Sequence, residues 1–319
     1  MYAEIVVLTY QPPDIATYTY KIPEELTGEI KVGQLVSVPF GKRNPMGIVL
    51  ALNKVVPRKE IQARSNLEMK SLSSIILKKP LLLPYQIKLL KWMVNYYHAP
   101  MVNCLEAMLP TIPGKLSAGM IPLRGSAGVI PDSHLVLVPS ISHIPLTLAQ
   151  YPQAMNYALY HNELTVFERF AAWQRILSGS HNYVFGSRSA IFTPCPNLKE
   201  IIIYDEHEEG YHDERSPYYN TLTIAEKLQE LTGAKLKIID SSPKVTTYFK
   251  HSPRLILARD QARINLSGPQ VKIVNMLDEK KIGNRSPLSQ ILEEYIKKGY
   301  AKKKKILLFL NKKSQSGHV

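Results

Sequence analysis

Cysteine is nearly absent, with Cys104 and Cys195 the two thiols in 319 residues. Two thiols cannot build a disulfide framework or a four-ligand zinc site, so they are expected as small buried residues in a reducing, cytoplasmic setting. Long apolar runs are also missing. Nothing approaches the roughly 18 residues of a membrane span, and the most apolar segment, residues 75–83, is interrupted by Lys78 and Lys79. The opening MYAEIVVLTYQPP has no basic cluster ahead of its apolar stretch, so no secretory signal is expected there. Acidic residues are in short supply: 26 Asp and Glu face 40 Lys and Arg, a net charge of +14. From His251 to Val319, 15 basic residues face 5 acidic ones, so ten surplus positive charges gather in the last part of the sequence. Such an excess favours polyanions, because every phosphate contact releases condensed counterions. A solvated basic surface without a polyanion partner is the plain alternative.

What is there falls into two textures. Up to about residue 56, short β-branched or aromatic runs (3–9, 17–22, 34–40, 46–52) alternate with turn signals such as Pro12-Pro13-Asp14 and Arg43-Asn44-Pro45. Strands at this spacing predict a small β-barrel. Pro84 then opens a helix in which Ile87, Leu90, Val94 and Tyr97 recur at helical spacing as far as Pro100. Residues 111–133 are rich in Gly, Pro and Ser without periodicity and read as a linker. Beyond them, apolar strands (134–138, 182–185, 200–204, 235–239) alternate with amphipathic helices (164–177, 223–231). That rhythm predicts an α/β domain with a parallel sheet. Two further strands are expected at 271–276 and 306–310, around a helix at 288–298. The chain therefore divides into 1–110, 111–133, 134–262 and 263–319, the last basic and resembling an unfinished βαβ unit.

The chemistry centres on Ile201-Ile202-Ile203-Tyr204, which runs into Asp205-Glu206-His207-Glu208-Glu209. A buried strand ending in Asp-Glu is how nucleotide hydrolases present one carboxylate to magnesium, here Asp205, and another to the attacking water, here Glu206. Such a site also needs a glycine-rich cradle, G-x-x-x-x-G-K-[ST], whose amides and lysine grip the phosphates. That pattern occurs nowhere in the 319 residues. The nearest approach, Pro113-Gly114-Lys115-Leu116, has Leu109 in place of the first glycine and Leu116 in place of the hydroxyl; Gly125-Ser126-Ala127-Gly128 has no lysine. A solvated strand exit is the plain reading of the same acids. His207 and His212 are five apart, not the four that put two ligands on one helical face, so no metal site is expected.

Residues 186–194, GSRSAIFTP, followed by Asn197-Leu198 and the Asp-Glu strand, resemble the primosomal protein N′ family, the bacterial replication-restart helicases. Other pieces follow in the same order. They include Leu135–Pro139, Glu168-Arg169 with Trp173, Asp240–Pro243, and residues 306–313, which look like the first strand of a second motor lobe. In the N-terminal part, residues 17–23, Val38–Lys42, Gly47–Val49 and residues 92–100 resemble the family's domain for DNA 3′ ends. The resemblance implies a RecA-like helicase lobe and, as DNA contacts, Tyr18, Thr19, Tyr20, Gly41, Lys70 and Arg188. Thr19 stands where the family carries a carboxylate for the terminal 3′-hydroxyl. The family's winged helix, phosphate cradle and eight-cysteine zinc module have no counterpart in this sequence.

The leading expectation is a DNA-binding protein of replication-restart, primosome type, with a degenerate helicase lobe that hydrolyses no ATP and needs no cofactor. Its partners would be single-stranded or forked DNA and other replication-restart proteins, with no membrane involved. Two alternatives stay open. One is a part of a split helicase, where a complementary chain supplies the phosphate site and with it Mg-ATP. The other is a structural interaction module of the replication machinery.

Overall fold

The computed structural model describes residues 1–9, 16–55, 69–114, 130–251 and 272–308. The chain divides into two compact units, Met1–Ser252 and Pro253–Val319. The first unit opens with five antiparallel strands: β1 (Tyr2–Val7), β2 (Tyr18–Lys21), β3 (Leu35–Ser37), β4 (Met46–Asn53) and β5 (Ser74–Ile75), in the order β2-β1-β4-β3-β5. Period-two alternation gives the sheet two apolar faces. Ala3, Ile5 and Val7 pack with Tyr20, Ile22, Val36, Val38 and Val49 on one face. Val6, Leu35, Ile48 and Leu50 serve the other. Between Glu4 and Ile5 the pairing with β4 slips by one residue, and Leu50 is the extra one. A bulge of this kind bends the strand locally.

Two helices cover that second face. Helix α1 (Pro84–Tyr97) starts on a proline, whose missing N–H is no loss in the first turn. It ends at His98 in the left-handed region, φ 49°. Helix α2 (Met101–Met108) follows after Pro100.

Next come five parallel strands, β6 (Ser133–Leu137), β7 (Tyr157–Tyr160), β8 (Tyr183–Gly186), β9 (Leu198–Tyr204) and β10 (Lys235–Ile239), in the order β10-β9-β6-β8-β7. The crossovers carry α3 (Ile144–Leu148), α4 (Val166–Leu177) and α5 (Thr221–Thr232). A 3-10 turn, Arg188–Phe192, joins β8 toward β9. Thr165 and Glu168 cap α4 reciprocally, and Gly233, at φ 75°, ends α5. Helix α6 (Val245–His251) follows β10.

The antiparallel and parallel parts share one core. Leu81, Leu82, Leu89 and Leu90 lie in the same apolar cluster as Trp173, Phe192, Ile201 and Ile224. Polar pins cross the seam: Trp173 Nε1 donates to the Leu81 carbonyl at 3.1 Å, and Gln86 Nε2 to the Phe192 carbonyl at 2.7 Å. Cys104 and Cys195 are both fully buried here, and burial pushes each thiol up to about 12. The expectation of two small buried cysteines is met.

In the second unit, α7 (Met276–Lys281) and α8 (Gln290–Ala301) are capped by Asn275 and Ser289. The strands expected at 271–276 and 306–310 are not found within its described residues. Residues 272–275 are irregular and Met276 already starts a helix, while 306–308 are irregular too. A strand needs a hydrogen-bonded neighbour, and the described parts of these runs, 272–276 and 306–308, pair with no strand among the described residues. Part of the expected linker, residues 115–129, and the expected boundary at 262–263 lie outside the described residues, as do the two glycine-rich cradle candidates beyond Gly114.

Candidate functional site

Parallel strands all deliver their carboxyl ends to one edge of the sheet, where α/β proteins gather their ligands. Here β9 delivers Asp205, Glu206 and His207, and β10 delivers Asp240. Tyr204 pairs with Ile239, so the residue after each, Asp205 and Asp240, emerges side by side. The Asp205 amide donates to the Ile239 carbonyl at 2.8 Å, and its φ of 48° turns the chain sharply out of the sheet. Nδ1–H of His207 donates to both oxygens of Asp240 at 2.9 Å, and the His207 amide adds a bond at 3.2 Å. Hydrogen bonding to Asp240 raises His207 above its ordinary pKa. For Asp240, desolvation is the largest influence and pushes upward. Its bonds from His207 and the Ser242 amide together outweigh that and hold the carboxyl below its ordinary value.

Glu206, the expected water-polarising group, lies elsewhere. It is 2% exposed, accepts the Lys244 amide at 2.9 Å and has the Lys244 ammonium at 3.9 Å. The structure thus brings Asp205 together with His207 and Asp240 but seals Glu206 beneath the start of α6. Sequence reasoning left Asp240 out of the site, because its nearness to Asp205 depends on β9 and β10 being neighbours.

Arg188 is held inward. Its guanidinium donates to the His212 and Gly210 carbonyls and meets Asp213 at 3.3 Å. It ties the loop after β9 to the turn after β8.

The N-terminal residues form a second constellation. Ile5 pairs with Tyr18 and Ala3 with Tyr20, so both tyrosines face the same apolar layer. They differ in depth. Tyr20 is 4% exposed, inside the core, with its hydroxyl 3.4 Å from the Pro39 carbonyl. Tyr18 stays half-buried at the margin, edge-on to Phe40 at 5.1 Å. Phe40 and Arg43 exchange backbone bonds of 2.8 and 3.1 Å around Gly41-Lys42. Gly41, at φ 60°, is the first central residue of that two-residue turn, the position at which glycine tolerates a positive φ. Among the described residues, apart from its chain neighbours, no atom lies within 4 Å of where its side chain would be, so a ligand could reach its backbone. Residues 70–72 run alongside the end of β2, with the Lys70 carbonyl accepting the Lys21 amide at 3.0 Å. Lys21 and Lys70 are exposed there, as are Lys42 and Arg43 on the turn. Thr19 faces the opposite side from the tyrosines, and its buried hydroxyl has no partner among the described residues. Phe40 was missed as a site residue; its place in Val38-Pro39-Phe40-Gly41-Lys42 was the available signal.

Residues 6–110 match the family model of the PriA 3'DNA-binding domain (3'BD). The chain is 32% identical over 197 residues to replication restart protein PriA of Synechocystis, covering 59% of this chain and 24% of that protein. The Bacillus subtilis protein of the same name is 33% identical over 189 residues, covering 58% and 24%. That of Rickettsia prowazekii is 24% identical over 348 aligned positions, covering 92% of this chain and 51% of its own length. The expected resemblance to the replication-restart family is borne out, and the chain spans between about a quarter and a half of the length of these relatives. No helix among the described residues is long and apolar enough to cross a membrane.

Proposed function

We propose that this chain is a DNA-binding protein of replication-restart type, working in the cytoplasm, that engages single-stranded or forked DNA through its N-terminal sheet and hydrolyses no nucleotide. The observation that carries the reading is the match over residues 6–110 to a 3'DNA-binding domain, on the folded body that holds the Tyr18–Phe40 corner. In this reading the antiparallel sheet acts as a small barrel. A terminal base stacks beside Tyr18, worth about 1–3 kcal/mol. The backbone passes Gly41, and Lys21, Lys42 and Lys70 meet phosphates. The Thr19 hydroxyl, buried and without a partner among the described residues, is read as the group that meets a polar atom of the DNA end. The parallel sheet is read as a degenerate RecA-like lobe over residues 134–262, with 263–319 as the start of a second.

A magnesium–nucleotide pair does not fit the residues present. The sequence holds no phosphate cradle, and Glu206 is buried against Lys244. Without amides and a lysine to stabilise charge on the transferring phosphoryl group, most of the rate advantage is lost. A second reading, part of a split motor, is favoured by one feature: among the described residues β10 pairs only with β9, leaving an open sheet edge that a partner strand could extend.

Fluorescence anisotropy with labelled 3′-tailed and forked oligonucleotides tests the proposal. Affinity is expected at low salt and should fall steeply as salt rises. Tyr18→Ala should weaken it roughly 5- to 150-fold, the equivalent of the stacking energy. The same preparation should release no phosphate from ATP when DNA is added. Absence of binding at low salt, or a Tyr18→Ala chain that binds as tightly as the parent, overturns the DNA assignment.

A further inference from the structure

The ligand-bearing atoms of Asp205, His207 and Asp240 lie within 4.8 Å of one another. We propose that these three side chains form a binding site for a divalent transition-metal ion, zinc or a neighbour in the first row. The site does not depend on the DNA-binding reading.

Three observations combine. The donors come from adjacent parallel strands locked in register, so the backbone fixes their spacing: Tyr204 pairs with Ile239, and the Asp205 amide bonds to the Ile239 carbonyl. The donor set is mixed. Two carboxylates with an imidazole suit zinc, manganese or iron, whereas magnesium and calcium prefer an all-oxygen shell. The charge is also left unbalanced. The Asp240 side chain is 2% exposed, and the cation within 4 Å of it, among the described residues, is His207. Among the described residues no lysine or arginine pairs with Asp205 within 4 Å, and Lys244 is turned to Glu206. Two neighbouring carboxylates at the mouth of a sheet, one of them buried, thus share a single titratable imidazole as counter-charge.

A bound ion would replace the proton that His207 and Asp240 now share. Metal–ligand bonds of about 2.0–2.2 Å require the three donor atoms to close around the ion. Glu208 places a carboxylate oxygen 3.7 Å from Nε2 of His207. Water is the expected remaining ligand on the open side, as in sites that keep one position free. The order Asp-Glu-His-Glu matters here, because it puts the imidazole two residues after Asp205, opposite Asp240.

The test uses the full, untagged chain and Co²⁺ as a spectroscopic probe, titrated to saturation and then displaced with Zn²⁺. One equivalent per chain is expected, with ligand-field absorption that zinc removes and millimolar Mg²⁺ does not. His207→Ala and, independently, Asp240→Asn should each weaken Co²⁺ binding at least about tenfold. Glu209→Gln, an exposed neighbour outside the cluster, should bind as the parent does. Circular dichroism identifies any variant that fails to fold; His207→Gln, which keeps side-chain bulk, then supplies the same comparison. No saturable Co²⁺ signal, or one that persists unchanged in the folded His207 variant, overturns the site.

Discussion

Thr19 is buried to 9% exposure with a hydroxyl oxygen that finds no partner among the described residues. An orphaned polar group of this kind costs about 1–3 kcal/mol relative to a satisfied one. Its neighbour across the strands, Glu4, is already engaged by the Asn53 amide at 2.6 Å. Thr19→Val keeps the β-branched shape and removes the hydroxyl, so unfolding in urea should show a stability gain of about 1 kcal/mol. If the hydroxyl meets a DNA end, the same variant should lose affinity for 3′-tailed oligonucleotides while becoming more stable. A loss of stability instead would mean that the hydroxyl is already satisfied in solution, and its role at the DNA end would fall with it. Residue-level reading from the sequence reached Thr19 and Tyr18 but could not rank Tyr18 above Tyr20. Alternation says that both share a face; only the third dimension says that Tyr20 sits in the middle of that layer and Tyr18 at its margin.

The turns show how differently two glycines act. At Gly186, the last residue of β8, a Cβ would lie 2.1 Å from the Tyr160 carbonyl oxygen and 2.5 Å from the Ala190 Cβ. One obstacle is the backbone of the neighbouring strand, so relief requires β7 and β8 to separate. At Gly41 the space is empty and only the positive φ resists. Gly41→Ala should therefore cost about 1–2 kcal/mol, the penalty of a left-handed L-residue. Gly186→Ala should cost more, reducing soluble yield or lowering the urea midpoint well beyond that of Gly41→Ala. Equal midpoints for the two variants would contradict the close approach at β7. The elements themselves were legible where sequence pattern and partner agree. Continuous apolar runs such as Ile201–Ile203 marked the buried parallel strands, and the amphipathic pattern over 164–177 marked α4. Six elements escaped: β5, β7, α2, α3, α6 and α7. Strand β5 is two residues long, β7 begins on the exposed Tyr157, and α2 follows α1 across only three residues. The expected strands at 271–276 and 306–310 failed for the opposite reason: their composition is strand-like, but no neighbour within the described residues of their unit pairs with them.

The first unit, Met1–Ser252, has a core that does not respect the change of texture in the sequence. Val6 and Ile48 of the antiparallel sheet, Leu81 and Leu89 beside it, and Trp173 and Ile201 of the parallel half are members of one apolar cluster. Trp173 is fully buried and its indole N–H bonds across the seam to Leu81. Trp173→Ala should cost about 3–5 kcal/mol as a cavity, beyond the lost hydrogen bond. Because the seam is continuous, that loss should reach both sheets. Hydrogen exchange at β1 and β4 amides should accelerate together with exchange at β6 and β9, and the fluorescence of Trp92 on α1, the one tryptophan left, should report the same lowered midpoint. Acceleration confined to the parallel sheet would mean that the two halves open independently. A shared core has a functional corollary. The Tyr18–Phe40 corner and the carboxylates at the mouth of the parallel sheet belong to one packed body, so the separation between them is fixed by side-chain packing instead of by a linker.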